Sequence, residues 1–196
     1  MKIRPLTIIS ETPGPGPGTV EILGRTYRTV VIDGREWLAE NFVYDDGEGG
    51  VSQQDTYSWY NQEYVGHTCY YTWVAAMRVA ALATGWHIPT ATEWDSLIAY
   101  AGGAGSTDVM DNLCSAGTVW NSGPWSDTTG LGVLPFGYLN YAGSDPQFPG
   151  NMVSIWSSSQ PDGSNAYKYQ FDSDYSYKRT DGTDGICNVI RLIRDI

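Results

Sequence analysis

The sequence predicts an α+β domain: two helices packed on short, mostly antiparallel β-structure, with long loop insertions. Three observations carry that prediction. Thr90 stands three residues before Glu93, a capping box, and Trp94, Leu97, Ile98 and Ala101 follow at i, i+3, i+4 and i+7, one apolar stripe of a helix that must lie on a sheet. Asn165–Phe171 alternates in the period of a strand, with Tyr167, Tyr169 and Phe171 on one face and Ala166, Lys168 and Gln170 on the other. The composition, 23 Gly and 10 Pro beside 14 Tyr and 8 Trp, describes a loop-rich, aromatic-rich chain and not a helical one.

Residues 1–18 end in PGPGPG, which packs neither as helix nor as central strand, so a tail or linker is expected there and the domain is expected over 19–196. No apolar run like that of a signal peptide follows Met1. The expectation is a chain cytoplasmic at synthesis, a piece of a longer protein, or a virion component. Tyr27–Ile32 and Arg35–Ala39 flank Asp33-Gly34, a hairpin signal that puts Trp37 and Leu38 in the core. Asp45–Gln54 reads as a solvated acidic loop; the crowding of Asp45, Asp46 and Glu48 suggests calcium as a competing reading, without EF-hand spacing. Tyr57–Tyr71 is aromatic and polar without period. Thr72–Thr84 predicts the other helix, with Trp73, Met77 and Ala80 turned to the core and Gly85 closing it.

Pro89 ends the extended approach to the capped helix, and Gly102 and Gly103 stop it. Ser106–Gly150 predicts an ordered loop system, since Trp120, Trp125, Phe136 and Tyr138 need burial. Val153–Ser159 reads as a strand through Trp156, Asp174–Thr180 as an alternating strand, and Ile186–Ile193 as the closing strand, with Arg191 pairing its charge at the core edge.

Charge and motifs bound the chemistry. A net charge of −11 argues against a nucleic-acid or anionic-membrane partner, and no run approaches a membrane span. Cys69, Cys114 and Cys187 are far apart and read as buried, inert thiols. His67 and Cys69 make a poor metal pair, and His87 reads as a structural, hydrogen-bonded histidine. No nucleophile elbow, phosphate loop or zinc-helix motif is present. Asp172 and Asp174 are paired carboxylates of the kind that flank a sugar, with solvated strand residues as the competing reading. No catalytic residue, metal or cofactor is therefore expected. Ser157–Asn188 is instead dominated by Ser, Tyr, Asp, Asn and Gly, the chemistry of antibody paratopes; an ordinary polar hairpin face is the competing reading.

Several segments in order resemble the Fibrobacter succinogenes major paralogous domain. They are TVVIDGREWLAENF, CYYTWVAAM, GWHIPTATEW, LPFGYLNYAG, IWSSS, SNAYKYQF and VIRLIRD, spanning roughly 20 to 195, with Phe42 where leucine is usual. More distantly GWHIPTATEW resembles the formylglycine-generating-enzyme group. Both resemblances imply a C-type-lectin-like fold. The enzymes of that group work through cysteines near the C-terminus; here only Cys187 lies there, so that activity does not carry over.

The chain also resembles the variable proteins of diversity-generating retroelements, which vary near the C-terminus at adenines, chiefly in asparagine codons. The resemblance implies a non-catalytic ligand- or receptor-binding surface of a virion or cell surface, contacting a protein or glycan. Its candidate contact residues are Ser159, Asp162, Ser164, Asn165, Tyr167, Tyr169, Asp172, Asp174, Tyr175, Tyr177 and Thr180. Lys168, Gln170, Lys178 and Arg179 are harder to reach from such codons, and the Lys and Gln residues in particular read as framework or template residues. Tyr167, Tyr169, Tyr175 and Tyr177 are then expected to be exposed on one surface. An undiversified adhesion or polysaccharide-binding domain is the first alternative, and a formylglycine-generating-type enzyme the second.

Overall fold

The structure, a computed structural model, describes residues 18–55, 67–117, 119–140, 146–172 and 175–196. Residues 1–17 of the expected tail, the 56–66 part of the aromatic segment and Asp174 lie outside the described residues. The architecture is α+β, with mostly antiparallel sheets.

β1 (Gly18–Ile22), β2 (Arg25–Ile32) and β3 (Arg35–Leu38) form a meander that β11 (Ile193–Asp195) completes at the β3 edge. Both turns place two consecutive residues at positive φ, Leu23-Gly24 (50° and 78°) and Asp33-Gly34 (49° and 74°), the twist that lets a two-residue loop close a hairpin. Sequence reasoning found the second hairpin and missed β1. The capped helix is α2 (Ala91–Tyr100), with both hydrogen bonds of the Thr90–Glu93 capping box and its stripe of Trp94, Leu97, Ile98 and Ala101 buried. Trp94 is the joint of the fold. Its ring packs edge-on against Trp37 of β3 at 5.2 Å and stacks on Tyr169 at 5.2 Å, tying the meander to the C-terminal sheet.

That sheet has the order β7 (Val153–Trp156), β8 (Asn165–Phe171), β9 (Ser176–Gly182), all antiparallel. β4 (Val51–Asp55) pairs with β5 (His67–Tyr71), and α1 (Trp73–Ala80) follows, capped by the Thr72 hydroxyl. The buried face of α1 is Ala75, Ala76, Val79 and Ala80. Trp73 and Met77, expected in the core, are only half buried, because small alanines let the helix approach β5 on that side. The Ser106–Gly150 loop system is ordered where described and carries a third helix, α3 (Asp108–Leu113), too short for a periodic signal, and β6 (Leu139–Asn140). The predicted closing strand is broken: β10 (Ile186–Cys187) pairs with β6, Asn188 and Val189 make isolated bridges to Tyr71 and Ile155, residues 190–192 lie outside any strand, and only then does β11 join the meander.

Arg191 lies in that break and corrects a second expectation. It is 1% exposed and makes no ion pair with a carboxylate among the described residues. Its guanidinium donates to the Leu38 carbonyl at 3.3 Å, the Gly132 carbonyl at 2.9 Å, the Leu131 carbonyl, and Asn41 Oδ1 at 3.4 Å. Burial pulls its pKa down to about 10, with Asp127 and Glu40 acting in the opposite direction, so it stays charged at neutral pH. The fixed fork of the guanidinium thus meets three backbone carbonyls and one side-chain oxygen at once, a match no ammonium reproduces.

In the acidic loop, Arg78 of α1 grips Asp46 through two nitrogens at 2.6 and 2.9 Å and also donates to the Gly49 carbonyl. Asp45 and Asp46 accept the amides of Gly47 and Glu48. No group of three metal-ligating side chains occurs among the described residues.

Two measurements check this account. Arg191→Met leaves several core carbonyls without donors; a loss of roughly 3 kcal/mol in urea denaturation is expected, with Arg191→Lys also destabilising. An Arg191→Met protein as stable as the parent would refute the carbonyl clamp. The hydrogen bond from Arg78 holds the Asp46 carboxyl down at about 2. A depressed folded pKa stabilises above the ordinary carboxyl value and loses that contribution as pH falls through it. The melting-temperature gap between parent and Asp46→Asn should therefore be full at neutral pH and shrink between about pH 4 and about pH 2; a gap independent of pH would contradict the clamp.

Candidate functional site

The C-terminal sheet carries the predicted contact residues, and its pleat separates them. β8 is the centre strand, with Tyr167, Tyr169 and Phe171 opposite Thr180, Lys178 and Ser176 of β9. These point toward α2. Tyr169 is 2% exposed, stacked on Trp94, and its hydroxyl donates to the Ala91 carbonyl at 2.8 Å and lies 2.5 Å from Asp95. Burial first, and the Asp95 carboxylate second, push its pKa up. Tyr169 is therefore a core residue and not a contact residue. Tyr167 sits beyond the helix, half-buried, with Lys178 Nζ 5.0 Å from its ring centroid; Lys178 also pairs with Asp95 at 2.7 Å.

The opposite face carries Ala166, Lys168 and Gln170 against Asp181, Arg179 and Tyr177. Tyr175 and Tyr177 meet edge-to-face at 6.1 Å, and Arg179 stands over Tyr177 at 5.3 Å. Tyr167 and Tyr177 thus lie on opposite faces, and the expectation of four tyrosines on one surface is corrected. A strand that inserts α2 under one face cannot offer that face to a ligand along its whole length.

Several other candidates have structural work. Ser159 Oγ accepts the Ala91 amide at 3.0 Å, inside the first turn of α2. Asp162 accepts the amides of Ser164 and Asn165 and the Asn165 side-chain amide, which holds its carboxyl below the usual range. The Ser164 carbonyl accepts the Thr183 amide at 3.1 Å. Asp172 accepts from the Gln170 amide at 3.3 Å. Tyr175 and Thr180 are exposed.

On the Lys168 face lies an open cleft of about 360 Å³, lined by Tyr138, Phe148, Met152, Lys168, Gln170, Arg179, Asp181 and Ile186. Sequence reasoning named none of these as contact residues, and took Lys168 and Gln170 for framework or template residues. One signal was available: Lys168 and Gln170 alternate on a strand that has an apolar opposite face. Lys168, only 6% exposed, pairs with Asp181 at 2.5 Å and lies 5.3 Å from the Tyr138 ring centroid.

Tyr138 stacks on Phe148 at 6.2 Å, and Phe148 is 58% exposed. Phe148 has φ of 55°, a conformation that costs a bulky residue on the order of 1–3 kcal/mol. The surrounding backbone imposes it. Asn151 and Met152 amides donate to the Phe148 carbonyl, Gly150 donates to Pro135, and Gln147 exchanges two bonds with Tyr138. Gly137, at φ 71°, has no room for a side chain: a Cβ would stand 2.0 Å from the Gln147 carbonyl.

The histidine and cysteines complete the survey. His87 Nε2 lies 3.1 Å from Glu93 Oε1, and Arg35 joins the same carboxylate at 3.6 Å. Burial pushes the Glu93 carboxyl up, but hydrogen bonds from Thr90 and His87 outweigh it and leave it lowered. All three cysteines are buried and free, and burial raises each thiol, Cys187 to about 11.

The split between structural and exposed candidates is measurable. Tyr169→Ser removes a fully packed aromatic and should cost about 3–5 kcal/mol in denaturant titration. Tyr175→Ser and Thr180→Ser should stay within about 0.5 kcal/mol of the parent. Equal, small effects at all three positions would mean that Tyr169 is not core.

The family model described as the Fibrobacter succinogenes major domain matches residues 30–194. No curated protein and no solved structure matches the chain. The match runs from the middle of β2 into β11 and takes in both helices, the loop system and the whole C-terminal sheet. The chain belongs to the Fibrobacter succinogenes major domain family.

Proposed function

We propose that the chain is a non-catalytic binding protein of a virion or cell surface. It presents its C-terminal sheet, on a C-type-lectin-like scaffold, to a protein or glycan of a target surface, and a retroelement diversifies part of that surface. The observation that carries the reading is the aromatic and polar surface around β9: Tyr175 and Tyr177 in edge-to-face contact, Arg179 beside them, and exposed Thr180. Tyrosine gives rigid amphipathic contact area at low entropic cost, and the rigid sheet beneath it limits what binding must order. The raised thiol pKa values speak against cysteine chemistry, since the thiolate is the reactive form. The −11 net charge speaks against a nucleic-acid partner, and no helix of the described residues is long and apolar enough to cross a membrane.

One observation favours the undiversified alternative, a fixed adhesion or polysaccharide-binding domain. Tyr169, Ser159, Asp162 and Asn165 fall within the retroelement's substitution range yet hold the fold together. On the diversified reading, variation concentrates at exposed Tyr175 and Thr180 and half-buried Tyr177 and spares those four.

Sequencing the 3′ end of the gene from many related isolates, with a search alongside for a reverse transcriptase and a near-copy template repeat, decides between the two. The expected result is substitution confined to the codons of Ser157–Asn188, at template adenines. Uniform sequence without a template would leave the fixed-specificity domain.

A further inference from the structure

We propose that the free edge of β9 pairs with the β9 edge of a second copy of the chain, joining two C-terminal sheets into one across a two-fold axis at Thr180. The inference stands on the geometry of that edge and goes beyond the reading of the chain as a binding protein.

The phase of the ladder leaves the edge open. The Tyr167 carbonyl accepts the Ser157 amide and its amide donates to the Ser159 carbonyl, both on the β7 side. Its neighbours Ala166, Lys168 and Gln170 therefore carry the ladder to β9, where they stand opposite Asp181, Arg179 and Tyr177. The amides and carbonyls of Ser176, Lys178, Thr180 and Gly182 are left on the far side of β9. Among the described residues β9 pairs with β8 alone, and no backbone hydrogen bond reaches those groups. Lys178, Arg179 and Thr180 are exposed, so the edge is uncovered there. Such an edge is a template for another strand, and proteins blunt it with proline, a bulge or charge. β9 holds no proline and pairs with β8 without a bulge. Only charge remains.

The charges select the occupant. An antiparallel pair related by a two-fold axis sets one residue opposite itself, and like charges directly opposite repel. An axis at Lys178, Arg179 or Asp181 meets that penalty, and an axis at Tyr177 sets Arg179 against Tyr175 and pairs no opposite charges. An axis at Thr180 sets Arg179 against Asp181 of the second copy on both sides, and Lys178 against Gly182, where no side chain crowds it. Arg179 makes no ion pair among the described residues and gains one in this register. Asp181 is already held in place by Lys168, and Lys178 by Asp95 at 2.7 Å. A strand of another protein would meet the same backbone, but nothing in β9 selects it, whereas β9 answers its own charges. Space suffices: the two β8 strands would lie three strand spacings, about 14 Å, apart, and helices packed beneath them need about 8–10 Å between axes. The joint is small, so the dimer is weak and reversible. Tyr177 and Arg179 of both copies then share one face of the joined sheet.

Sedimentation equilibrium of the full chain at physiological salt tests this. The expected result is a mass that rises with concentration from that of one chain toward that of two. Arg179→Asp sets carboxylates against each other, and Thr180→Pro removes the amide at the axis; each should weaken the dimer about tenfold or more. Melting curves check that both variants fold. Thr180→Cys gives a second readout: oxidation should link two copies at the axis, where cross-strand Cα atoms come within disulfide reach, and Lys178→Cys should not link. The native cysteines are buried and add no background. A chain that stays monomeric, a dimer indifferent to Arg179→Asp and Thr180→Pro, or linkage as strong at Lys178→Cys as at Thr180→Cys would each overturn the inference.

Discussion

The fold hangs on a buried cation that has no counter-ion in contact among the described residues. Arg191 lies where the meander, the long loop system and the C-terminal run converge, and it bonds carbonyls from two of them, Leu38 at the end of β3 and Leu131–Gly132 in the loop. Loops leave carbonyls unpaired by construction, and in a core each such group costs about 1–3 kcal/mol. A guanidinium answers several at once. The loop it anchors runs on through Val133 to Gly137 and Tyr138, so the position of the cleft's aromatic wall descends from this clamp. Asp127, near enough to raise the Arg191 pKa, bonds the Gly132 amide at 3.0 Å and so reaches the same loop from the other side.

The second constraint is that one helix serves two sheets. Trp94 touches Trp37, Tyr169 and Phe171, and no shift of α2 relieves one contact without straining another. That closes the inner face of β8 from Tyr169 to Phe171. Whatever the C-terminal sheet recognises must be met by the outer face, by β9, or by the Tyr167 end beyond the helix.

Much of this was legible in the sequence because it is local. The capping box needs only Thr90, Glu93 and the stripe behind them; the Asp33-Gly34 turn needs two residues at positive φ. What was not legible depends on distant partners. The core face of α1 was assigned to Trp73, Met77 and Ala80; Ala80 lies on it, but its other members are Ala75, Ala76 and Val79, and Trp73 and Met77 pack only at its margin. Arg191 reads as an edge ion pair until the carbonyls of residues 38, 131 and 132 are brought around it. The contact surface failed in the same way. Composition marked Ser157–Asn188 as one polar, tyrosine-rich region, and alternation split β8 correctly, but the register between strands decides which face β9 shares: Tyr177 pairs with Gln170 and so lies on the face opposite Tyr167. The cleft also needs Tyr138 and Phe148, which lie outside that region entirely.

Lys168 organises the outer face of the C-terminal sheet. Its charge is answered by Asp181 of β9, and its ammonium stands 5.3 Å from the Tyr138 ring centroid, so one buried side chain ties the centre strand both to its edge neighbour and to the long loop system. The residue that sequence reasoning set aside as framework is framework in this structure, and it fixes the polar face that α2 leaves uncovered.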